Sequence, residues 1–152
     1  MSVEEEFTIT LSQQHDYQFL VDFGDATPAL LTDESAPLGQ GAGPNPSRML
    51  ATAVANCLAA SLLFSLRKFK NQPEPVKATA TVSLARNEHG RLRIGNIAVE
   101  LAIGQNAADV AQLERILAQF EDFCIVTQAV REGLQVSVSV SDASGKVLRG
   151  QA

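Results

Sequence analysis

Two cysteines are the residues of this chain best suited to covalent chemistry. Cys57 lies within the long apolar stretch GPNPSRMLATAVANCLAASLLF, and Cys124 opens the segment CIVTQAVREG. A cysteine thiolate is a nucleophile, and a sulfenic acid formed on one cysteine condenses with a second thiol to give a disulfide. Free cysteine is also among the residue types that are most often buried. A reactive thiol pair and two core residues are therefore both open interpretations.

The two cysteines have different predicted surroundings. On a helix, the residues three and four positions from Cys57 are small or apolar: Ala53, Val54, Ala60 and Ser61. This setting favours a buried core cysteine. Cys124 follows Asp122, a residue suited to a helix N-cap, and this predicts a thiol in the first turn of a helix from Phe123 to Arg131. A thiolate is stabilised at such a position.

Composition and spacing argue against several other classes of function. The 152 residues carry a net charge of −5, which provides no positive surface for nucleic acid. Two widely separated cysteines and two scattered histidines lack the short ligand spacings of zinc sites, so we expect no metal and no other cofactor. The N-terminal sequence MSVEEEFTIT lacks the basic start and apolar run of a signal peptide. We therefore expect a cytoplasmic protein without structural disulfides.

Apolar periodicity predicts strands in the first part of the chain and then a long helix. Residues 6–23 alternate as in a β-hairpin that turns near residues 13–16, and residues 29–32 form a short strand within a loop rich in Gly and Pro. A helix begins after the N-cap Asn45, with Pro46 at its first position, and continues to about Lys70. Its apolar part is borderline in length for a membrane span, and we interpret it as a buried helix of a globular domain.

The second part of the chain repeats this order. Residues 76–104 read as a second hairpin around the turn at residues 87–90. Asn106 is predicted to cap a helix over residues 107–123, and a short helix closed by Gly133 follows it. The alternating segment LQVSVSVSDA, residues 134–143, predicts a final strand. The predicted fold class is α+β with mostly antiparallel sheets and helices, in one domain over residues 1–152.

Two segments resemble the signatures of the OsmC/Ohr family. GPNPSRMLATAVANCLAASLLFSLRK has the Gly-Pro-x-Pro opening, the small-residue helix and the central cysteine of the first signature. FCIVTQAVREGLQVSVSV has the cysteine, short helix, glycine and final strand of the second. The order of the predicted elements also agrees with this family from about residue 15 to residue 140.

The resemblance implies an OsmC-like fold and an activity. The fold is an intertwined homodimer in which long central helices pack between two mostly antiparallel β-sheets. The activity is that of a thiol-dependent peroxidase, which reduces organic hydroperoxides under oxidative stress. By the resemblance, Cys57 is the peroxidatic thiolate and Cys124 the resolving thiol. The implied partners are a second copy, a small hydrophobic hydroperoxide and an external dithiol reductant, with no nucleic acid and no membrane.

The chain departs from this family at the residues that poise the thiolate. Well-characterised members carry an Arg in the loop before the first long helix and a Glu in its first turn. This chain has no Arg before Arg48, and it carries Ser47 and Arg48 where the Glu is expected. Arg48 and Ser47 are therefore accessory candidates. About nine helical residues span roughly 13 Å and half a turn, so Arg48 reaches Cys57 only across a dimer or through a broken helix.

This departure leaves two other interpretations open. One is an OsmC-like protein without peroxidase activity that acts as a dimeric module for binding small ligands. The other is a protein of unrelated activity in which both cysteines are core residues, and it predicts that replacing either cysteine by Ala leaves function unchanged.

Overall fold

The described part of the chain, residues 1–150 of a computed structural model, combines antiparallel strand pairs with helices. The strands are β1 (Thr10–His15), β2 (Gln18–Asp22), β3 (Leu30–Thr32), β4 (Lys77–Arg86), β5 (Leu92–Ala102), β6 (Val140–Ser141) and β7 (Val147–Arg149). The helices are α1 (Pro46–Lys68), α2 (Leu113–Gln119) and α3 (Ile125–Glu132), with two 3₁₀ turns at Ala107–Asp109 and Phe120–Phe123. The predicted α+β class is confirmed. The extent of a single domain over residues 1–152 stays a prediction.

The strands described form three small antiparallel sheets, β1-β2-β3, β4-β5 and β6-β7. The first hairpin turns at Asp16, which has a φ of 48°, close to the predicted turn. The second hairpin turns at Asn87, whose Oδ1 accepts hydrogen bonds from the N–H groups of His89 and Arg91, both at 3.0 Å. Both predicted hairpins and the short strand β3 are therefore confirmed.

The central helix α1 begins where the sequence predicts. Asn45 caps it, because its Oδ1 accepts a hydrogen bond of 2.9 Å from the Arg48 N–H, and Pro46 occupies the first helical position. Two basic residues in the last turn, Arg67 and Lys68, lie where the helix dipole favours positive charge. α1 packs against β4 and β5, and also against the 3₁₀ turn at 120–123 and α3. This helix is therefore the element that joins the second hairpin to the C-terminal helices.

The apolar composition of α1 reflects its place in the core. By length and composition alone, this helix could cross a membrane, a test that the core helix of a soluble protein also passes. In the structure, four of its apolar side chains belong to the main hydrophobic cluster: Val54, Leu58, Leu62 and Leu66. The other members come from the C-terminal part of the chain: Val110, Ile116, Phe120 and Cys124. The packing agrees with our interpretation of a buried helix.

The predicted single helix over residues 107–123 is wrong. The segment is divided into the two 3₁₀ turns and α2, and Gln112, just before α2, has a φ of 59°. A left-handed residue cannot lie within a continuous right-handed helix, so the chain changes direction there. Asn106 precedes the first 3₁₀ turn, but its side chain makes no capping hydrogen bond.

The predicted final strand over residues 134–143 is mostly wrong for the isolated chain. Only Val140–Ser141 forms a strand, because β7 pairs with it there. β7 itself was not predicted. Residues 134–139 alternate as a strand would, yet no strand pairs with them in the described part of this chain. Extended backbone needs a hydrogen-bonded neighbour to become a strand.

A buried carboxylate organises the loop that leads into α1. Asp33 is only 2% exposed, and its oxygens accept hydrogen bonds from the N–H groups of Glu34 at 2.8 Å and of Gln40 and Ala42 at 3.0 Å each. The Ala42 N–H lowers the pKa of Asp33 most, burial raises it, and the other two N–H groups lower it further. The net effect is a pKa below the ordinary value, so the ionised carboxylate stabilises this loop.

We expect Asp33→Asn to lower the melting temperature by a few degrees at neutral pH. A carboxyl group whose folded pKa is depressed stabilises the fold above its unfolded pKa of about 3.8, and this contribution is lost as the pH falls through the folded pKa. The difference between wild type and variant should therefore shrink at about pH 2.5. Thermal unfolding at both pH values measures it, and Glu34→Gln is the control for the change in charge. An equal loss in the control would contradict this role of Asp33.

We expect Leu66→Ala to reduce the free energy of unfolding by about 3–5 kcal/mol. Leu66 has 0% of its surface exposed, so its removal leaves a cavity beneath α1. Leu38 is 60% exposed, and Leu38→Ala should change stability by less than about 0.5 kcal/mol. Urea denaturation at one fixed protein concentration compares the two variants, and similar losses would contradict the assignment of this core.

Candidate active site

The side chains of the two cysteines are in contact in the folded chain. Cys57 lies in the middle of α1, and Cys124 lies between the 3₁₀ turn at 120–123 and α3. Because α1 packs against both of these segments, the Cys57 and Cys124 thiols come within hydrogen-bonding contact. Both are free thiols in this structure. Cys57 also packs against the hydrophobic cluster that contains Cys124.

Cys124 begins the short helix rather than lying within its first turn. It is the N-cap residue of α3, with an extended backbone at φ −85° and ψ 93°, and Asp122 belongs to the preceding 3₁₀ turn. The prediction that Asp122 caps this helix is therefore wrong. The broader prediction, a thiol at a helix N-terminus, is confirmed.

The two thiols differ in access to solvent. Cys57 is half-buried, whereas Cys124 is fully buried, with 0% of its surface exposed. An oxidant from solution therefore meets Cys57 first and reaches Cys124 only after the protein moves. This difference in exposure suits a peroxidatic thiol that meets the oxidant and a resolving thiol that reacts after it.

Two buried hydroxyl groups contact Cys124. The Cys124 Sγ donates a hydrogen bond of 2.9 Å to the Thr127 Oγ1, and Ser61, one turn beyond Cys57 on α1, lowers the pKa of the Cys124 thiol by hydrogen bonding. Neither residue was a predicted site residue. The spacing indicates which side chains share a face with each cysteine, because Ser61 follows Cys57 by one helical turn and Thr127 follows Cys124 by three residues. The spacing identifies both residues as neighbours of Cys124 only when α1 and α3 are known to pack together.

The pKa values of the two thiols are shifted in opposite directions. Burial raises the pKa of Cys57, as do the hydrogen bond and the charge of Cys124, whereas the N–H groups of Val126 and Thr127 lower it; the net direction is upward. Burial also raises the pKa of Cys124, but hydrogen bonds from Cys57, Thr127 and Ser61 together bring it below the ordinary value. The pKa of Cys57 therefore lies above the ordinary thiol value and that of Cys124 below it.

The accessory candidates lie away from the thiols within one chain. α1 is unbroken, and Arg48 and Ser47 line a groove of about 640 Å³ between α1 and β4, on the side of the helix opposite Cys57. Small and apolar side chains of β4 form the other wall: Ala78, Ala80, Val82 and Leu84. One chain therefore does not bring Arg48 or Ser47 to Cys57, and a role across a dimer stays a prediction.

A second groove, of about 630 Å³, runs along α1 between β5 and α3. Its apolar lining residues include Val54, Leu58, Val99, Leu101 and Phe120. The lining also includes Thr127, which bonds to Cys124, and the ion pair in which the Arg131 Nη2 contacts the Glu121 Oε2 at 2.6 Å. The sequence pattern did not single out this Arg–Glu pair. The groove therefore reaches Thr127, which bonds to Cys124, while neither cysteine is among its lining residues.

Possible metal ligands are scattered in the described residues. Within residues 1–150, no group of three or more His, Cys, Asp or Glu side chains is placed to hold a metal ion. The site is therefore described by its two thiols and the neutral hydrogen-bond donors around them.

Several solved structures share this fold. An OsmC-like protein of unknown function from Vibrio cholerae superposes with a TM-score of 0.68 at 15% identity, over 82% of this chain and 93% of that one. An organic hydroperoxide resistance protein from Legionella pneumophila gives 0.63 at 20% identity, over 86% and 92%. The corresponding protein from Bacillus subtilis gives 0.61 at 18%, over 85% and 93%. At such identities the likeness shows the fold alone.

The sequence identifies the family. No protein of curated function matches the chain by sequence. The model of the OsmC-like protein family matches residues 39–139, a range that includes both cysteines, α1, the second hairpin and α3. The chain therefore belongs to the OsmC-like protein family.

Proposed function

We propose that this protein is a thiol-dependent peroxidase that reduces organic hydroperoxides through Cys57 and Cys124. One observation carries the proposal: a half-buried thiol on α1 contacts a fully buried thiol at the start of α3. The names of the Legionella pneumophila and Bacillus subtilis proteins, which describe organic hydroperoxide resistance, support the same substrate class.

The proposed cycle needs only the two thiols and an external reductant. The Cys57 thiolate attacks one peroxide oxygen, the O–O bond breaks, an alcohol leaves after taking a proton, and Cys57 becomes a sulfenic acid. Cys124 then attacks the Cys57 sulfur, and the hydroxyl group leaves as water while the disulfide forms. A cellular dithiol returns two electrons and two protons to the pair. No metal or organic cofactor takes part in these steps.

The surroundings of the thiols suit a hydrophobic substrate. The groove that Thr127 helps to line also has apolar side chains from α1 and β5, and an alkyl or aryl group gains by leaving water there. A small apolar hydroperoxide is therefore the proposed substrate class. We place the protein in the cytoplasm, where thiol reductants keep cysteines reduced.

We further propose that the working form is a homodimer. One chain has an accessible surface of 11778 Å², whereas a compact monomer of 16.2 kDa exposes about 7,500 Å². This excess is several times the roughly 800 Å² that each partner covers in a standard interface. Such a surface is expected of a chain that folds around a second copy.

The segment before β6 supports the same proposal. The apolar side chains of residues 134–140 alternate onto one face and are exposed, for example Val136 at 80%. The backbone of residues 134–139 pairs with no strand in the described part of the chain. A second copy can supply both the missing strand and a cover for the apolar face.

A binding module without peroxidase activity is the second candidate. It is favoured by the position of Arg48 on the opposite side of α1 and by the raised pKa of Cys57, since a protonated thiol is a poor nucleophile. In that case the apolar grooves along α1 would hold a small ligand and the thiols would be unreactive.

We expect one equivalent of cumene hydroperoxide to remove both free thiols of the reduced protein within seconds. Cys57→Ser should abolish this loss, because Cys57 makes the first attack. Cys124→Ser should still react once but stop at the sulfenic acid, which dimedone traps. Thiol counting with a chromogenic disulfide, together with mass spectrometry, measures these outcomes. Thiols that survive for hours in the wild type would overturn the peroxidase proposal and favour the binding module.

We expect the protein to elute with a mass twice the 16.2 kDa of one chain. Val136→Glu should lower the dimer fraction at least tenfold at micromolar concentration, because it places a charge on the covered apolar face. Ser137→Glu, on the other face of the same segment, is the matched control and should stay dimeric. Size-exclusion chromatography with light scattering measures the mass. A monomeric wild type, or equal effects of both variants, would contradict the proposed interface.

A further inference from the structure

We propose that the Glu121–Arg131 ion pair makes the apolar groove between β5 and α3 selective for uncharged ligands over ligands that carry a carboxylate. The inference rests on the proposed function, because it narrows the substrate class from small apolar hydroperoxides to those without an acidic group. It assigns this selection to two residues outside the thiol pair.

The charged side chains of the groove form a single pair. Among the described lining residues, Glu121 and Arg131 are the only charged ones, and the Arg131 Nη2 lies 2.6 Å from the Glu121 Oε2. Most of the other lining side chains are apolar, and Asn96 and Thr127 are polar but uncharged. An ion pair at this distance offers a ligand no net charge. A carboxylate that enters the groove therefore gives up water without gaining a free cation.

The ion pair lies beside the residue that connects the groove to the thiols. Arg131 follows Thr127 by four residues on α3, so both side chains lie on one face of this helix. The Thr127 Oγ1 accepts the hydrogen bond of 2.9 Å from the Cys124 Sγ. The part of a ligand that contacts Thr127 is therefore also close to the ion pair, and its charge matters there.

Neighbouring charges do not take part in this selection. Val99 and Leu101 line the groove, and successive side chains of a strand point to opposite faces, so Glu100 points away from it. Glu132 follows Arg131 but is exposed and does not line the groove. The side chains of Glu121 and Arg131 are themselves 42% and 54% exposed, so salt screens their charges. The selection is therefore a few-fold effect that is largest at low ionic strength.

The groove between α1 and β4 differs in charge. Arg48 is its only charged lining residue among those described, and the described part of the chain contains no ion-pair partner for it. A carboxylate can therefore find a free cation in that groove but not in the groove between β5 and α3. Arg48→Gln is for this reason the variant that shows which groove a ligand occupies.

Two ligands that differ only in charge test the inference without any peroxide. The fluorescent probes are dansylaminoundecanoic acid and its methyl ester, titrated into the reduced protein at low ionic strength. The wild type should bind the ester about threefold more tightly than the acid. Glu121→Gln frees Arg131 and should strengthen binding of the acid about threefold while leaving the ester unchanged. Arg131→Gln frees Glu121 and should weaken binding of the acid by about the same factor.

Three further variants are matched controls. Glu121→Gln with Arg131→Gln removes both charges and should return the ratio of the two dissociation constants to its wild-type value. Glu132→Gln makes the same change in net charge as Glu121→Gln but outside the groove, and it should leave the ratio unchanged, as should Arg48→Gln. Circular dichroism verifies that each variant folds. In peroxide reduction, the ratio of kcat/KM for linoleic acid hydroperoxide and its methyl ester should follow the same order among the variants.

The outcomes separate this inference from the proposed function. A ratio that does not change in either Glu121→Gln or Arg131→Gln would overturn the inference, as would a ratio that changes equally in Glu132→Gln or follows Arg48. Thiol counting with cumene hydroperoxide tests the proposed function separately. Rapid loss of both thiols together with an unchanged ratio would overturn this inference alone, whereas unreactive thiols with the expected ratios would overturn the peroxidase and support the selection.

Discussion

The site depends on one packing contact, that between the middle of α1 and the segment that begins α3. Cys57 and Cys124 lie far apart in sequence and meet only because α1 packs against the 3₁₀ turn at 120–123 and against α3. The same contact contains the main hydrophobic cluster, to which Phe120 and Cys124 contribute from one side and α1 from the other. The packing that stabilises the core therefore also keeps the two thiols close together. Whatever loosens this packing separates the two sulfurs as well.

The contact also buries both thiols where a negative charge is disfavoured, and neutral hydrogen-bonding groups offset this cost. Burial disfavours the charged form of a thiol, and both cysteines are subject to it. The chain offsets this cost with hydroxyl groups on the Cys124 side and backbone N–H groups on the Cys57 side. The fully buried thiol gains more of these bonds than the half-buried one.

Local features of the fold could be predicted from the sequence, and long-range ones could not. The cap at Asn45 and the turn at residues 87–90 depend on neighbouring residues, so their patterns are readable. The break before α2 was missed because apolar spacing continues across Gln112, although its backbone is left-handed. Residues 134–139 have the pattern of a strand but no neighbour to pair with in the described chain. Pairing Cys57 with Cys124 required the family resemblance, and the proximity of Ser61 and Thr127 to Cys124 required the packed helices.

The position of Arg48 shows why neutral donors matter here. A cation stabilises a thiolate over several ångströms, and salt screens the effect when the groups are exposed. Hydroxyl and N–H donors act only at contact, where burial shields them from salt and makes their geometry decisive. Within one chain, Arg48 lies on the opposite side of α1, so the thiol pair relies on contact donors. A site of this kind is sensitive to small movements of α3 relative to α1, because a shift of about 1 Å lengthens several of its hydrogen bonds beyond their effective range.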